Sequence, residues 1–347
     1  MLCALIMAGG KGTRFWPLST EEKPKQFLNL IGDNTMIQMT VDRMQPIIPM
    51  GRIFVCTGAM YVDLVKEQLP ELPEKNIIVE PEGRNTTPCI ALSALVIQRY
   101  YKDANMVVLP SDHLINDEDE FRSIVEASNE FIRNNKNSII TLGMNPTRPE
   151  TGYGYIKYGN ETEKVNSHRV IKVDKFVEKP DKEKAQEYVR EGCYLWNGGM
   201  FMWSIENIIN QIKKHSENTY EALHNIKDIE EDKLQEFINN NYCNTEAISV
   251  DYSILEKAED IYVIPSNIGW DDIGSWEAIE RYRERDSHGN INIGNINCVR
   301  GENNLVVATN QKIIIDDLSN IYVIENDGQI LLGKKERISR VRELKEA

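Results

Sequence analysis

The sequence predicts an α/β fold: a mostly parallel sheet with helices on both faces, followed by a small β-rich C-terminal domain. Three observations carry this prediction. From Leu2 to Leu142, short apolar runs alternate with amphipathic stretches, the pattern of parallel strands joined by covering helices. From about Thr151 the pattern turns mixed, as an insertion extending the same sheet would. A turn cluster, Ser287-His288-Gly289-Asn290, then precedes short strand-like runs only.

Strands are predicted at Leu2 to Met7, Arg52 to Thr57, Asn76 to Val79, Met106 to Leu109 and Ser138 to Leu142. Helical periodicity fills the gaps at Thr35 to Arg43, Ala59 to Leu69, Thr87 to Tyr101 and Asp119 to Arg133. The mixed region offers strands at Gly154 to Tyr158, Val170 to Val177, Met200 to Trp203 and Ile261 to Ile264. Its helices are expected at Asp181 to Arg190, Ile205 to Lys214, Asp232 to Asn240 and Trp276 to Arg285. Strands at Leu305 to Ala308, Lys312 to Ile315, Ile321 to Ile324 and Ile330 to Leu332 follow, ahead of a charged tail. The division expected is a large domain, 1–286, and a small β domain, 287–347.

At 347 residues, with 41% hydrophobic and 27% charged residues, the chain can bury a sizeable core. A net charge of -14 repels polyanions, which argues against nucleic acid or an anionic membrane as the main partner. The N-terminal run Met1-Leu2-Cys3-Ala4-Leu5-Ile6-Met7 lacks a basic start and is too short to span a bilayer, so no export is expected. Six cysteines without any C-x-x-C pair read as reduced thiols of a cytoplasmic protein.

Open α/β sheets bind ligands beyond the carboxyl ends of their strands, so the chemistry is sought in those loops. Ala8-Gly9-Gly10-Lys11-Gly12-Thr13-Arg14 follows the first strand. Its backbone N–H groups can converge on an anion, with Lys11 and Arg14 adding charge; a plain glycine turn is the competing reading. A dinucleotide fingerprint is excluded because Phe15 stands where the third glycine belongs, and no Walker A spacing is present. Lys23-Pro24-Lys25-Gln26-Phe27 brings two more cations close behind. Pro110-Ser111-Asp112-His113 places Asp112 at a strand end, suited to a magnesium ion that takes one or two carboxylates plus phosphate oxygens. Capping of the helix beginning near Asp117 is the other reading of Asp112. Gly269-Trp270-Asp271-Asp272-Ile273-Gly274-Ser275-Trp276 offers a second carboxylate, Asp271 or Asp272. Glu80 to Thr86, Thr151 to Tyr155, Phe176 to Pro180 and Trp196 to Phe201 combine turn residues with polar groups as binding loops do. No histidine spacing suits a metal, and no nucleophile elbow is found.

Taken in order, these segments resemble the mannose-1-phosphate guanylyltransferase family of sugar nucleotidyltransferases. The matching residues are Ala8-Gly9-Gly10-x-Gly12-Thr13-Arg14, Trp16-Pro17-Leu18-Ser19, Lys23-Pro24-Lys25-Gln26-Phe27, Glu80-Pro81, Arg84-Asn85-Thr86, Pro110-Ser111-Asp112-His113, Thr151-Gly152-Tyr153-Gly154-Tyr155-Ile156, Val177-Glu178-Lys179-Pro180 and Trp270-x-Asp272-x-Gly274-Ser275-Trp276. Two departures are Gly198, where the family often has serine, and Asp271, where serine commonly precedes the second aspartate. The first is expected to loosen a sugar-side contact. The chain ends before the phosphomannose isomerase half of bifunctional relatives, so no isomerase activity is expected.

The resemblance implies a Rossmann-like, GT-A-like catalytic domain with a β-helix-like tail that is a candidate for dimerisation. It implies that GTP and α-D-mannose 1-phosphate give GDP-mannose and diphosphate, by in-line attack of the sugar phosphate on the α-phosphorus. It also implies Mg²⁺ held by Asp112 and Asp272, with Lys25 on the α-phosphoryl oxygens and Arg14 with the Gly10 and Gly12 amides on the leaving pyrophosphate. Ala8, Gly9 and Thr13 complete the nucleotide loop, and Glu80, Arg84, Asn85 and Thr86 surround guanine or ribose. Tyr153, Gly154, Glu178, Lys179 and Asn197 read the mannose. Two other readings remain: a sister enzyme joining glucose 1-phosphate to dTTP or UTP, and a non-catalytic subunit that binds GDP-mannose.

Overall fold

The computed structural model describes residues 1 to 346; Ala347, the last residue of the expected 287–347 domain, lies outside the described residues. The first stretch runs β1 (Leu2–Met7), α1 (Met36–Met44), β2 (Ile53–Gly58), α2 (Val62–Gln68), β3 (Ile77–Glu80), α3 (Thr86–Tyr100), β4 (Asn105–Pro110), α4 (Glu118–Asn134) and β5 (Ile139–Met144). Next come β6 (Tyr155–Val165), β7 (His168–Val177), α5 (Lys182–Glu191), β8 (Tyr194–Ser204), α6 (Ile205–His215), α7 (Glu217–Leu223), α8 (Leu234–Asn241) and β9 (Ile261–Ser266). The last are α9 (Trp276–Tyr282), β10 (Ile291–Arg300), β11 (Leu305–Asp316), β12 (Ile321–Asn326) and β13 (Gln329–Lys334).

The described residues form two compact units that no single cut separates. The first comprises Met1–Gly9, Thr40–Ser111 and Ile115–Trp270, and the second Gly10–Met39, Asp112–Leu114 and the chain from Asp271 onward.

The first unit holds a nine-stranded sheet in the order β3-β2-β1-β4-β8-β5-β9-β7-β6 among the described residues. Pairing is parallel through β3-β2-β1-β4 and between β5 and β9, and antiparallel where β8, β7 and β6 join, so the sheet is mixed. The leading strands are buried on both faces, which is why Leu2–Met7 and Asn105–Pro110 read as unbroken apolar runs. Helix α3 is buried from Thr87 to Ile97, whereas α4 is amphipathic and is capped by Asp117, whose carboxylate accepts from the Glu120 N–H at 3.0 Å. Strand order reverses at β1, with β2 on one side and β4 on the other. The chain therefore leaves at Ala8-Gly9 and at Ser111 from neighbouring strand ends, and the Ser111 N–H donates to the Met7 carbonyl at 3.1 Å.

The second unit carries the four-stranded sheet β10-β11-β12-β13, parallel except for its last pair. Its core joins Phe15, Leu28, Leu30 and Leu114 to Ile273, Trp276, Leu305, Tyr322 and Ile338.

Several sequence expectations need correction here. Leu305 to Ala308 and Lys312 to Ile315 form one strand, β11. Strand β10 escapes the pattern because asparagines and Gly294 interrupt its alternation; Gly294 has φ +103°, and a side chain there would overlap the Ala308 carbonyl oxygen. Helix α7 is short and has no counterpart among the expected helices. Helix α9 stops at Tyr282, and Arg283 instead turns its guanidinium onto the carbonyls of Asn29 and Leu30 at 2.7 and 2.8 Å. The charged tail is a 3-10 helix, Lys335–Glu346, that buries Ile338 and Val341. Trp196 to Phe201, expected as a loop, lies within β8. Gly198 there faces the methyl ends of Met144 and Met200, which a side chain would meet at 2.8 and 3.2 Å; it relieves packing in the sheet and is not a sugar-side contact.

Candidate active site

The charged residues of the second unit converge on Lys25. Its side chain is only 3% exposed, yet its ammonium donates to Asp112 Oδ2 at 2.8 Å and to the Asp272 carbonyl at 2.5 Å. A cation so far from water needs such partners. Gly12 allows this close approach: it adopts φ +41°, and a Cβ there would lie 2.7 Å from the Lys25 nitrogen and 3.1 Å from Gln26 Oε1. The Lys25 N–H donates to the Gly12 carbonyl at 3.2 Å and Gln26 Nε2 to the Gly10 carbonyl at 2.8 Å, so the lysine segment braces the glycine loop from behind. Gln26 is part of this support, a role that its motif does not reveal. Gly10 faces open space.

Arg14 begins to project on the 3-10 turn Thr13–Phe15. Its side chain is 57% exposed, with Nη1 3.5 Å from Asp272 Oδ2. Burial alone would raise Asp112, but the charge of Lys25, followed by His113 and Arg14, holds its carboxyl below the usual range. Asp112 is therefore an ionised ligand beside cations, and the competing role of helix cap belongs to Asp117.

The two adjacent aspartates part ways at Ile273. That β-branched residue sits at φ +42° with its side chain buried, a conformation kept only where the surroundings impose it. Asp271 accepts from the Ile273 N–H at 2.8 Å, from Arg281 at 2.6 Å and from Tyr282 at 3.0 Å. Asp271 thus holds the loop, and Asp272 is the carboxylate on the Lys25 and Arg14 side.

The remaining site residues lie in the first unit. Ala8 spends its main chain on the sheet end: its N–H donates to the Cys56 carbonyl at 2.7 Å, and its carbonyl accepts from Thr57 at 3.0 Å. Gly9 lies against Glu80, where a Cβ would stand 2.7 Å from Oε2. Glu80 is buried and accepts from the Tyr242 hydroxyl. Burial pushes its carboxyl up to about 7, although hydrogen bonds from Tyr242 and Cys56 oppose this. Arg84 grips the Thr245 carbonyl through Nε and Nη2 at 3.1 and 2.8 Å. Asn85, at φ +71°, caps α3 by accepting from the Thr86 N–H at 2.9 Å. The Thr86 hydroxyl in turn accepts from the Val250 N–H at 2.9 Å. The segment from Tyr242 to Val250 that organises these residues carries no motif, so nothing in the sequence announces it.

The Tyr153 ring meets Trp196 and Trp270 edge-on, with centroids 5.3 and 5.2 Å away. Gly154 leaves room for Glu178, whose Oε2 would be 2.5 Å from a Cβ there, and its carbonyl accepts from the Asn197 N–H at 2.8 Å. Lys179, at φ +42° ahead of Pro180, pairs with Glu178 Oε1 at 2.7 Å. Asp251, which no motif singles out, accepts from Asn197 Nδ2 at 2.9 Å.

Residues 3–288 match the nucleotidyl transferase family. Over 347 aligned residues the chain is 36% identical to the xanthan biosynthesis protein XanB of Xanthomonas campestris pv. campestris, covering 98% of this chain and 72% of that protein. It is 35% identical to a mannose-1-phosphate guanylyltransferase of Klebsiella pneumoniae, covering 99% and 73%. A solved structure described as mannose-1-phosphate geranyltransferase from Thermus thermophilus superposes with a TM-score of 0.83 at 29% identity, over 100% of this chain and 99% of that one. With the family match extending from the first strand through α9, this chain belongs to the nucleotidyl transferase family.

Proposed function

We propose that this protein transfers guanylyl from GTP to α-D-mannose 1-phosphate, giving GDP-mannose and diphosphate. The observation that carries the reading is the buried Lys25 ammonium bonded to both Asp112 and the Asp272 main chain, with Arg14 alongside. These are the groups that phosphoryl transfer requires, where positioning and charge outweigh acid–base chemistry. A phosphate monoester has a second pKa of about 6, so mannose 1-phosphate is already a competent nucleophile near neutral pH.

Lys25 neutralises the α-phosphoryl oxygens as charge builds, and Arg14 with the Gly10 and Gly12 amides holds the leaving diphosphate. The hard oxygen donors of Asp112 and Asp272 suit Mg²⁺, which would supply charge neutralisation across the phosphates. Glu80, Arg84, Asn85 and Thr86 take the guanosine, and Tyr153, Gly154, Glu178, Lys179 and Asn197 take the mannose. Relatives bearing the guanylyltransferase name at 35% identity support the choice of base and sugar. Six free cysteines support a reducing, cytoplasmic setting. We further propose a homodimer joined through the small sheet, because Ile314, Ile330 and Leu332 on it are 58–63% exposed.

The test is diphosphate release over a grid of nucleoside triphosphates and hexose 1-phosphates with Mg²⁺. Selective turnover of GTP with mannose 1-phosphate is expected; selective turnover of glucose 1-phosphate with UTP or dTTP overturns the proposal.

A further inference from the structure

The first unit holds a second carboxylate against the sugar-side residues. Asp251 opens a π-helical turn, Asp251–Leu255, a rare local geometry that recurs at functional sites. Asn197 fixes its orientation: the Asn197 Oδ1 accepts from the Gly199 N–H at 3.0 Å, which turns Nδ2 onto Asp251 Oδ1 at 2.9 Å. Glu178 lies close enough for its charge to act on Asp251. Burial first, and that neighbouring charge second, push the Asp251 carboxyl up to about 6, against the hydrogen bond from Asn197 and the ammonium of Lys179.

Glu178 is itself incompletely satisfied. Its side chain is 6% exposed, and Lys179 takes Oε1 at 2.7 Å. Oε2, pressed against Gly154, is buried with no hydrogen-bond partner among the described residues. An unpaired buried carboxylate oxygen is costly. Two carboxylates side by side repel a third anion and present only acceptors while ionised. Their complement is a neutral group with two donors at short spacing, which is what adjacent hydroxyls on a pyranose ring provide.

We infer that Asp251 and Glu178 act as one acceptor pair for two neighbouring hydroxyls of the hexose, making Asp251 a further specificity-determining residue for the sugar 1-phosphate. The inference rests on the assignment of Gly154, Glu178 and Asn197 to the sugar. Asp251→Asn retains the shape and an oxygen for Asn197 but replaces one acceptor with a donor; Asp251→Ala removes both.

The experiment measures diphosphate release by the wild-type chain and both variants with GTP. The substrates are mannose 1-phosphate and its 2-, 3- and 4-deoxy analogues, and each protein's thermal midpoint checks its fold. For Asp251→Asn the KM for mannose 1-phosphate should rise at least tenfold, more than kcat falls, while the KM for GTP stays within twofold. The variant's penalty should disappear on the analogue lacking the hydroxyl that Asp251 reads. A KM for mannose 1-phosphate within twofold of wild type in both variants overturns the inference. So does an equal penalty on every analogue and on GTP. A wild-type chain that turns over no hexose 1-phosphate overturns the sugar assignment and this inference together, and is told apart because it appears before any variant is made.

Discussion

Replacing Lys25 with methionine removes one charge while keeping much of the side chain's length. Two charge-assisted hydrogen bonds disappear, those to Asp112 Oδ2 at 2.8 Å and to the Asp272 carbonyl at 2.5 Å. Each is worth about 1.5–3 kcal/mol in isolation. Two effects reduce the net loss: the lysine no longer has to be desolvated, and Asp112, with its side chain 34% exposed, regains water. The expected destabilisation is therefore about 1–2 kcal/mol. The catalytic loss should be larger, because a preorganised cation facing developing charge contributes about 3–4 kcal/mol. With a factor of ten per 1.36 kcal/mol, kcat should fall about 100- to 1,000-fold. The assay is diphosphate release at saturating GTP, mannose 1-phosphate and Mg²⁺, paired with a urea midpoint. A folded Lys25→Met protein with kcat within threefold of wild type would refute the role of Lys25 at the α-phosphate and leave it a structural strut.

Three further outcomes are expected. Asp272→Asn should raise the Mg²⁺ concentration for half-maximal rate at least tenfold with little change in stability, whereas Asp271→Asn should lower the urea midpoint by about 2 kcal/mol equivalent and leave the Mg²⁺ response alone; the reverse pattern would exchange their roles. Glu80 is held near 7 in the folded chain against an ordinary 4.5, so the folded state binds the extra proton. Its stabilising contribution is full below pH 4.5 and lost as pH rises through 7, a change of about 3 kcal/mol; Glu80→Gln should flatten that part of the stability–pH curve, and an unchanged slope would contradict the shift. Ile330→Asp with Leu332→Asp should convert the proposed dimer to monomer by light scattering, and an unaltered mass would move the interface elsewhere.

The central strands and the glycine loop were legible because their signals are local. Leu2–Met7 is apolar throughout since both faces are covered, and Gly12 must be glycine for a backbone reason that acts within the loop and its near neighbour Lys25. Segments whose identity depends on distant partners were not legible. Strand β10 shows little alternation, and the tail's Ile338 and Val341 became meaningful only when buried against Trp276 and Tyr322. The antiparallel entry of β8, β7 and β6 likewise follows from pairing, which periodicity does not encode.

By itself the sequence determined the α/β class, the succession of binding loops and the identity of Arg14, Lys25 and Asp112 as charged residues in them, because motif spacing constrains chain positions. The tertiary structure decided how those residues divide their tasks. Asp271 and Asp272 are neighbours of identical chemistry, separated only by the strained turn at Ile273 and by the partners each one reaches. Tyr242 meets Glu80 from 162 residues away, Val250 meets Thr86 from 164, and Asp251 meets Asn197 from 54. A carboxylate's role is set by the charges and donors folded around it, and those arrive only when remote segments pack together.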